Sequence, residues 1–410
     1  MAFEPGVTFI PASGQIIGEL EKDYMRQVVD SGWLTAAKFN DEFEKTLQGF
    51  LGVKAVRTCN SGSSANLLAF SCLTSPELGD KAIKKGDEVI TVACGFPTTI
   101  NPIIQNGCVP VFLDINTTLN INTNHLEKAL TSKTKAVMIA HALGNPFNMD
   151  LIAEFCRKHK LWLIEDCCDA LGAKWRDRYV GTFGDVSTLS FFPAHHITMG
   201  EGGAVLINNP KLTRLVESFR DWGRDCWCQP GKDNTCGKRF CWKFENLPEG
   251  YDHKYVFTHA GYNLKITDVQ AACGLAQLSQ LPKFLEARRE NYAYLKERLG
   301  GHEELWLPSI YPDADPSWFG FPITINPEAG IERKDMVDFL ADHQIGTRLL
   351  FAGNATKQPF MKDKEYRVVG DLKQSDLVMT NLFWIGVQPA LTREMLDYTA
   401  TTIENFLGHF

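Results

Sequence analysis

Short apolar runs alternate with helical patterns from about residue 50 to residue 210. The runs predict strands at Ala55–Thr58, Glu88–Thr91, Val109–Leu113, Ala136–Ala140, Trp162–Glu165, Val186–Ser190 and Ala204–Asn208. Apolar positions at helical spacing fill the gaps, as at Ser63–Leu73 and Asp150–His159. Strands alternating with helices predict an α/β domain built on a mostly parallel seven-stranded sheet. Ligands of such sheets sit at the carboxyl ends of the strands. Residues just past each strand are therefore the first candidates for chemistry.

The rhythm breaks at Gly223–Tyr262, which is rich in Gly, Asp, Cys, Trp and Lys and shows no period. A stretch this long without pattern inside a compact domain points to function. Beyond it, Ile266–Leu299 reads as long helical sequence interrupted at Pro282. The expected organisation is a large domain over 1–285, carrying an insertion at about 223–262, and a smaller C-terminal α/β domain over 286–410.

Composition narrows the class. The 410 residues allow two sizeable cores, and 44% hydrophobic with 22% charged content suits a soluble enzyme. The net charge of −7 without a basic block argues against nucleic acid as a partner. Pairs such as Lys84–Lys85 and Arg288–Arg289 read as solvated helix faces. The start, MAFEPGVTF, leads into no apolar run, and no stretch approaches a membrane span, so a cytoplasmic protein is expected. Twelve cysteines are many for a reducing compartment. Clustered ones then point to metal.

Three segments carry candidate chemistry. In Thr58-Cys59-Asn60-Ser61-Gly62-Ser63-Ser64-Ala65, a strand gives way to a helix whose free N–H groups offer a phosphate site at Gly62 and Ser63. The same residues would also make a plain capped turn. In Trp162-Leu163-Ile164-Glu165-Asp166-Cys167-Cys168-Asp169, the strand ends in an acidic pair. A carboxylate at Asp166 can hold a pyridine nitrogen protonated, or merely cap the next helix. The third, Ser190-Phe191-Phe192-Pro193-Ala194-His195-His196-Ile197-Thr198-Met199-Gly200-Glu201-Gly202-Gly203, places Ser190 as a phosphate donor ahead of a Gly-rich turn.

In this order and spacing the segments resemble the sugar aminotransferases, a fold-type I pyridoxal phosphate family, over nearly the whole chain. In that family the third segment carries a Lys that attaches the cofactor covalently. Here the corresponding residue is His195. Histidine cannot make that attachment, but it can move a proton near neutral pH. His196 is read as structural.

The segment Ala194–Gly203 is similar to that of one branch, the CDP-4-keto-6-deoxyglucose 3-dehydrases, which bind pyridoxamine phosphate (PMP). Their four cluster cysteines are separated by 57, 1 and 7 residues, and Cys168, Cys226, Cys228 and Cys236 have these intervals. The resemblance implies a [2Fe–2S] cluster on these four. Four thiolates by themselves suit iron–sulfur or zinc, and Cys241 is a possible substitute for Cys236. Cys167 is a nearby spare; Cys59, Cys72, Cys94, Cys108, Cys156 and Cys273 are assigned to packing.

Further roles follow from the resemblance. Phe96 matches the aromatic that stacks on the pyridine ring. Asn263 matches a residue that reaches the phosphate from the neighbouring subunit, which implies a homodimer with shared active sites. Asp169 stands where the aminotransferases have Gln or His and the dehydrase branch has Asp. Phe192 departs from that branch, which has Tyr. The implied activity is 3-dehydration of a nucleotide-linked 4-keto-6-deoxyhexose, CDP-linked, with an NADH-dependent flavin and iron–sulfur reductase as partner. The rival readings are a sugar aminotransferase, which needs the missing Lys, a cluster-free 3-dehydratase, and a zinc-stabilised scaffold.

Overall fold

The computed structural model describes residues 3–228, 231–244 and 246–408. Its central sheet runs in the order Ala55–Cys59, Gly203–Ile207, Val186–Ser190, Trp162–Asp166, Thr134–Ala140, Glu88–Val92, Val109–Leu113, Arg367–Val368. From Val186–Ser190 to the far edge every neighbour is parallel. Gly203–Ile207 alone runs antiparallel to both its neighbours. Helices cover both faces, so the inner strands are buried at every position: Trp162–Asp166, Val186–Ser190 and Gly203–Ile207 show no solvent-facing alternation.

The seven expected strands are all present, and there is an eighth. Arg367–Val368 pairs with Val111 and Phe112 at the sheet edge. Two residues are too few for an apolar run to announce a strand.

The topology sets the chemistry at one edge. Asp166 and Ser190 end their strands, and Cys59 pairs with Gly203 at the same level, so the turn at Asn60–Gly62 opens beside them. Crossover helices Gly62–Ser71, Pro97–Gln105 and Met149–His159 return the chain between strands.

The expected break at Pro282 does not occur. Helix Asp268–Leu299 is continuous over 32 residues, begun by a capping box between Thr267 and Gln270. Pro282 removes one N–H, the one that would bond the carbonyl of Leu278. Burial of Leu281, Phe284 and Leu285 on either side of it outweighs that loss.

This helix also crosses the expected division at 285/286. Leu281, Phe284 and Leu285 join the core behind the central sheet. Tyr292, Leu295 and Leu299 join a second core. That core lies on the antiparallel sheet Leu305–Trp306, Phe321–Ile325, Leu382–Ile385. Ile10 from the N-terminal segment packs there too, so residues near both ends of the chain build one core.

Arg288 corrects the reading of Arg288–Arg289 as a solvated face: its side chain is 1% exposed. Residues 223–262 form turns with one short 3-10 turn, His253–Tyr255, and residues 229, 230 and 245 of that segment lie outside the described residues. Among the described residues no helix is long and apolar enough to cross a membrane.

Candidate active site

Ser61 begins the helix Gly62–Ser71, its Oγ accepting from the N–H of Ser64 at 3.1 Å. Gly62 is needed for close approach. A Cβ there would lie 2.4 Å from Cβ of Ser190 and 3.1 Å from Sγ of Cys168. Without one, Gly62, Ser190 and Cys168 converge on a single wall, with exposed Ser63 in the first turn above it. First-turn N–H groups and the helix dipole make this a cradle for an anion.

Asp166 is the most densely supported acid of the site. Its Oδ2 accepts from Asn66 Nδ2 at 2.8 Å and Thr99 Oγ1 at 2.7 Å. Oδ1 accepts from the N–H of Cys168 at 3.1 Å. These donors satisfy the buried carboxylate oxygens. Phe96 precedes helix Pro97–Gln105 and is 49% exposed, its ring edge-on to Phe351 at 5.5 Å. A large ring left half bare is a surface for stacking.

His195 and Asp169 face each other, with Nδ1 and Oδ1 3.6 Å apart. Burial, joined by the positive charge of Arg288, pulls the His195 imidazolium down to about 4. Burial, joined by the negative charge of Asp166, pushes the Asp169 carboxyl up to about 8. Near pH 7 the imidazole is therefore uncharged and Asp169 holds its proton. Nδ1 of His195 is buried without a hydrogen-bond partner in the protein. His196 points elsewhere: it is buried, with Nε2 3.0 Å from the carbonyl of Ser317. Phe192 is 48% exposed.

The cradle, the braced carboxylate, the bare ring and the uncharged imidazole fit a phosphorylated pyridine cofactor. Asn263 is not drawn into this group. It is exposed, it accepts from Lys265 Nζ at 2.7 Å, and its backbone pairs with Asp221.

Three of the four candidate cluster cysteines meet. Ligand atoms of Cys226, Cys228 and Cys236 all lie within 4.8 Å of one another. The N–H of Cys236 points at Cys228 Sγ, at 3.4 Å. Burial works to raise the Cys228 thiol, but hydrogen bonds from Thr235 and the Cys236 N–H win and bring it down to about 7. Burial raises Cys226 to about 11. A metal bound by thiolates needs them deprotonated, and Cys228 is already near that state. Cys241 is exposed and outside the trio, and Cys168 stays on the wall with Gly62 and Ser190. The six cysteines assigned to packing are buried.

Several supporting residues escaped the sequence reading. Asn66 and Thr99 sit in ordinary helical sequence. His253 places Nδ1 3.9 Å from Cys236 Sγ, under Trp242. Arg288 donates to the carbonyls of Trp318, Phe319, Ala194 and His195. Its signal was present: with Leu281, Phe284, Leu285, Tyr292 and Leu295 it shares one helical stripe.

The model of the DegT/DnrJ/EryC1/StrS aminotransferase family matches residues 15–404. The chain belongs to that family. Among its DegT/DnrJ/EryC1/StrS relatives, the lipopolysaccharide biosynthesis protein RfbH of Salmonella typhimurium is 56% identical over 99% of this chain and 93% of that protein. The dTDP-4-dehydro-2,6-dideoxy-D-glucose 3-dehydratase of Saccharopolyspora spinosa is 50% identical over 99% of this chain and 88% of that protein. A crystal structure of a GDP-4-keto-6-deoxymannose-3-dehydratase mutant with bound GDP-perosamine superposes with a TM-score of 0.87 at 28% identity, covering 97% of this chain and all of that one. The fold is the type I fold of pyridoxal phosphate-dependent transferases, and the chain is an enzyme of this family.

Proposed function

We propose that the enzyme catalyses 3-dehydration of a nucleotide-linked 4-keto-6-deoxyhexose, CDP being the nucleotide, in the making of a dideoxysugar for lipopolysaccharide. In this reading it binds PMP and holds a [2Fe–2S] cluster on Cys168, Cys226, Cys228 and Cys236. The observation that carries it is a histidine at position 195, turned to Asp169 at 3.6 Å, where the aminotransferases have their lysine. Relatives named as nucleotide-sugar 3-dehydratases support the reaction class. The CDP assignment rests on the cysteine intervals and the Ala194–Gly203 segment.

Bound PMP supplies an amine for a keto group and a ring that accepts electron density. Gly62, Ser63 and Ser190 hold its phosphate, joined by the partner subunit's Asn263. Phe96 covers the ring face and excludes water from it. Asp166, braced by Asn66 and Thr99, keeps the ring nitrogen protonated. Asp169, 3.6 Å from Nδ1, would orient His195, and the uncharged imidazole would take up the proton released beside the bound amine. The cluster supplies one-electron transfer, fed by an NADH-dependent flavin and iron–sulfur reductase.

Anaerobic purification with iron, sulfide and cofactor analysis tests the cofactors. Turnover of CDP-, dTDP- and GDP-linked 4-keto-6-deoxy sugars in oxygen-labelled water tests the reaction. The expected result is brown protein that labels carbon 3 of the CDP-linked sugar. Borohydride treatment with pyridoxal phosphate that marks one active-site lysine would instead indicate an aminotransferase. Colourless protein with zinc would indicate a scaffold.

A further inference from the structure

The cluster trio is one ligand short. A two-iron cluster takes two protein ligands on each iron, four in all. Cys226, Cys228 and Cys236 converge without Cys168. Their segment is tied to the outer edge of the central sheet. Arg214 donates to the carbonyl of Asp225 at 2.9 Å and lies over the ring of Trp227. It also pairs with Glu217, whose carboxylate takes Arg57 Nε at 2.7 Å on the edge strand Ala55–Cys59. Cys168 follows the fourth strand in from that edge. The Cys168 sulfur does not lie within 4.8 Å of all three sulfurs of the trio. Cys168 is also fixed where it is, packed against Gly62 and Ser190.

The surface around the trio is unlike a finished one. Trp33, Trp222 and Trp227 line a single groove together with Cys226 and Cys228. Each of these tryptophans is more than 40% exposed. Phe257, across the Arg224 bridge, is 49% exposed. Charged side chains such as Lys38, Arg57, Arg224 and Lys265 line the same groove, the mixture of aromatic and charged groups that partner surfaces carry. A second copy of this chain seated there would bring the missing thiol in the same act. Two-fold symmetry then makes two equal sites.

We propose that the cluster closes across a dimer: Cys226, Cys228 and Cys236 of one subunit with Cys168 of the partner subunit. The inference rests on the iron–sulfur reading above. Each cluster then lies against the other subunit's cofactor wall, because Cys168 is part of that wall.

Mixed dimers test this. Cys168→Ser and Cys228→Ser chains are co-expressed with different affinity tags. The heterodimer is isolated anaerobically by both tags. Iron, sulfide, visible absorbance and the electron paramagnetic resonance signal after dithionite are then measured. In the proposed arrangement one site of the heterodimer loses two ligands and the other keeps all four. Both mutant homodimers should hold no cluster, and the heterodimer should hold half the wild-type iron. A heterodimer without iron places all four ligands in one chain and overturns the proposal. A Cys168→Ser homodimer with full iron removes Cys168 from the set, overturning it while leaving the cluster reading intact. Wild-type protein without iron ends both readings. Circular dichroism and thermal unfolding report folding of each species, and Cys168→Ala replaces the Ser variant where the latter fails to fold.

Discussion

His195 Nδ1 and Asp169 Oδ1 stand 3.6 Å apart, in a pocket that keeps the imidazole uncharged and the carboxyl protonated. A base must be uncharged to take a proton, and a partner that keeps its own proton does not convert it to imidazolium. His195→Asn preserves size and polarity but removes the basic nitrogen. The variant should bind PMP with wild-type affinity and lose about 10²–10⁴-fold in exchange of the cofactor's 4′ proton with solvent. Exchange by nuclear magnetic resonance measures it, and an unchanged rate would assign the proton to another base.

Gly62→Ala puts a methyl group 2.4 Å from Cβ of Ser190, with Cys168 Sγ at 3.1 Å. Neither neighbour can yield without moving a strand end. Overpacking of this kind costs about 1–3 kcal/mol. Denaturant unfolding should show that loss, and PMP titration should show weaker affinity, because the added methyl displaces Ser190 and Cys168 at the wall of the cradle. A variant that unfolds and binds like wild type would place the phosphate elsewhere.

Phe96→Ala should separate binding from stability. The ring is half exposed, so little core packing is lost. Stacking between aromatic rings is worth about 0.5–1.5 kcal/mol beyond area. PMP affinity should fall by about threefold to tenfold with the apo-protein Tm unmoved. An unchanged affinity would mean that the ring of Phe96 does not meet the cofactor.

Glu165→Gln should alter how stability depends on pH. Burial opposes the Glu165 charge, but His141 and the N–H groups of Gly184 and Gly181 outweigh it and hold the carboxyl below its usual 4.5. The unfolded chain therefore binds the proton first as pH falls. The stability this contributes is present above about pH 4.5 and lost on acidification through the folded value. The variant keeps an oxygen for His141 but loses the charged acceptor of the Gly181, Phe183 and Gly184 N–H groups, and should be about 1–3 kcal/mol less stable at pH 7. Its unfolding free energy should fall less steeply than the wild type's between pH 6 and pH 4. Parallel curves for the two proteins would disprove this role for Glu165.

What could be read in advance follows from what each residue's neighbours in sequence reveal. The strands of the sheet were legible because parallel strands buried on both faces are continuous apolar runs, as in Trp162-Leu163-Ile164. The direction of Gly203–Ile207 was not, since an apolar run looks the same in either sense. Pro282 misled because proline's cost is local while the packing that offsets it comes from residues three and four positions away and from distant strands. Asp166 and Ser190 were legible because a strand end is a defined place. Asn66 and Thr99, which brace Asp166, were not: a polar residue on a helix carries no mark of the carboxylate it will meet. The cysteine intervals named four sulfurs but held no information on which of them the fold of one chain brings together.

Helix Asp268–Leu299 gives the molecule a mechanical property. It is one rod anchored in both cores, and Arg288 sits between Leu285 of one core and Tyr292 of the other, gripping the carbonyls of Ala194 and His195 and of Trp318 and Phe319. The two halves of the enzyme therefore have no hinge at residue 285. A force that tilts the C-terminal core is carried along the rod to a single guanidinium, and from there to the backbone of His195.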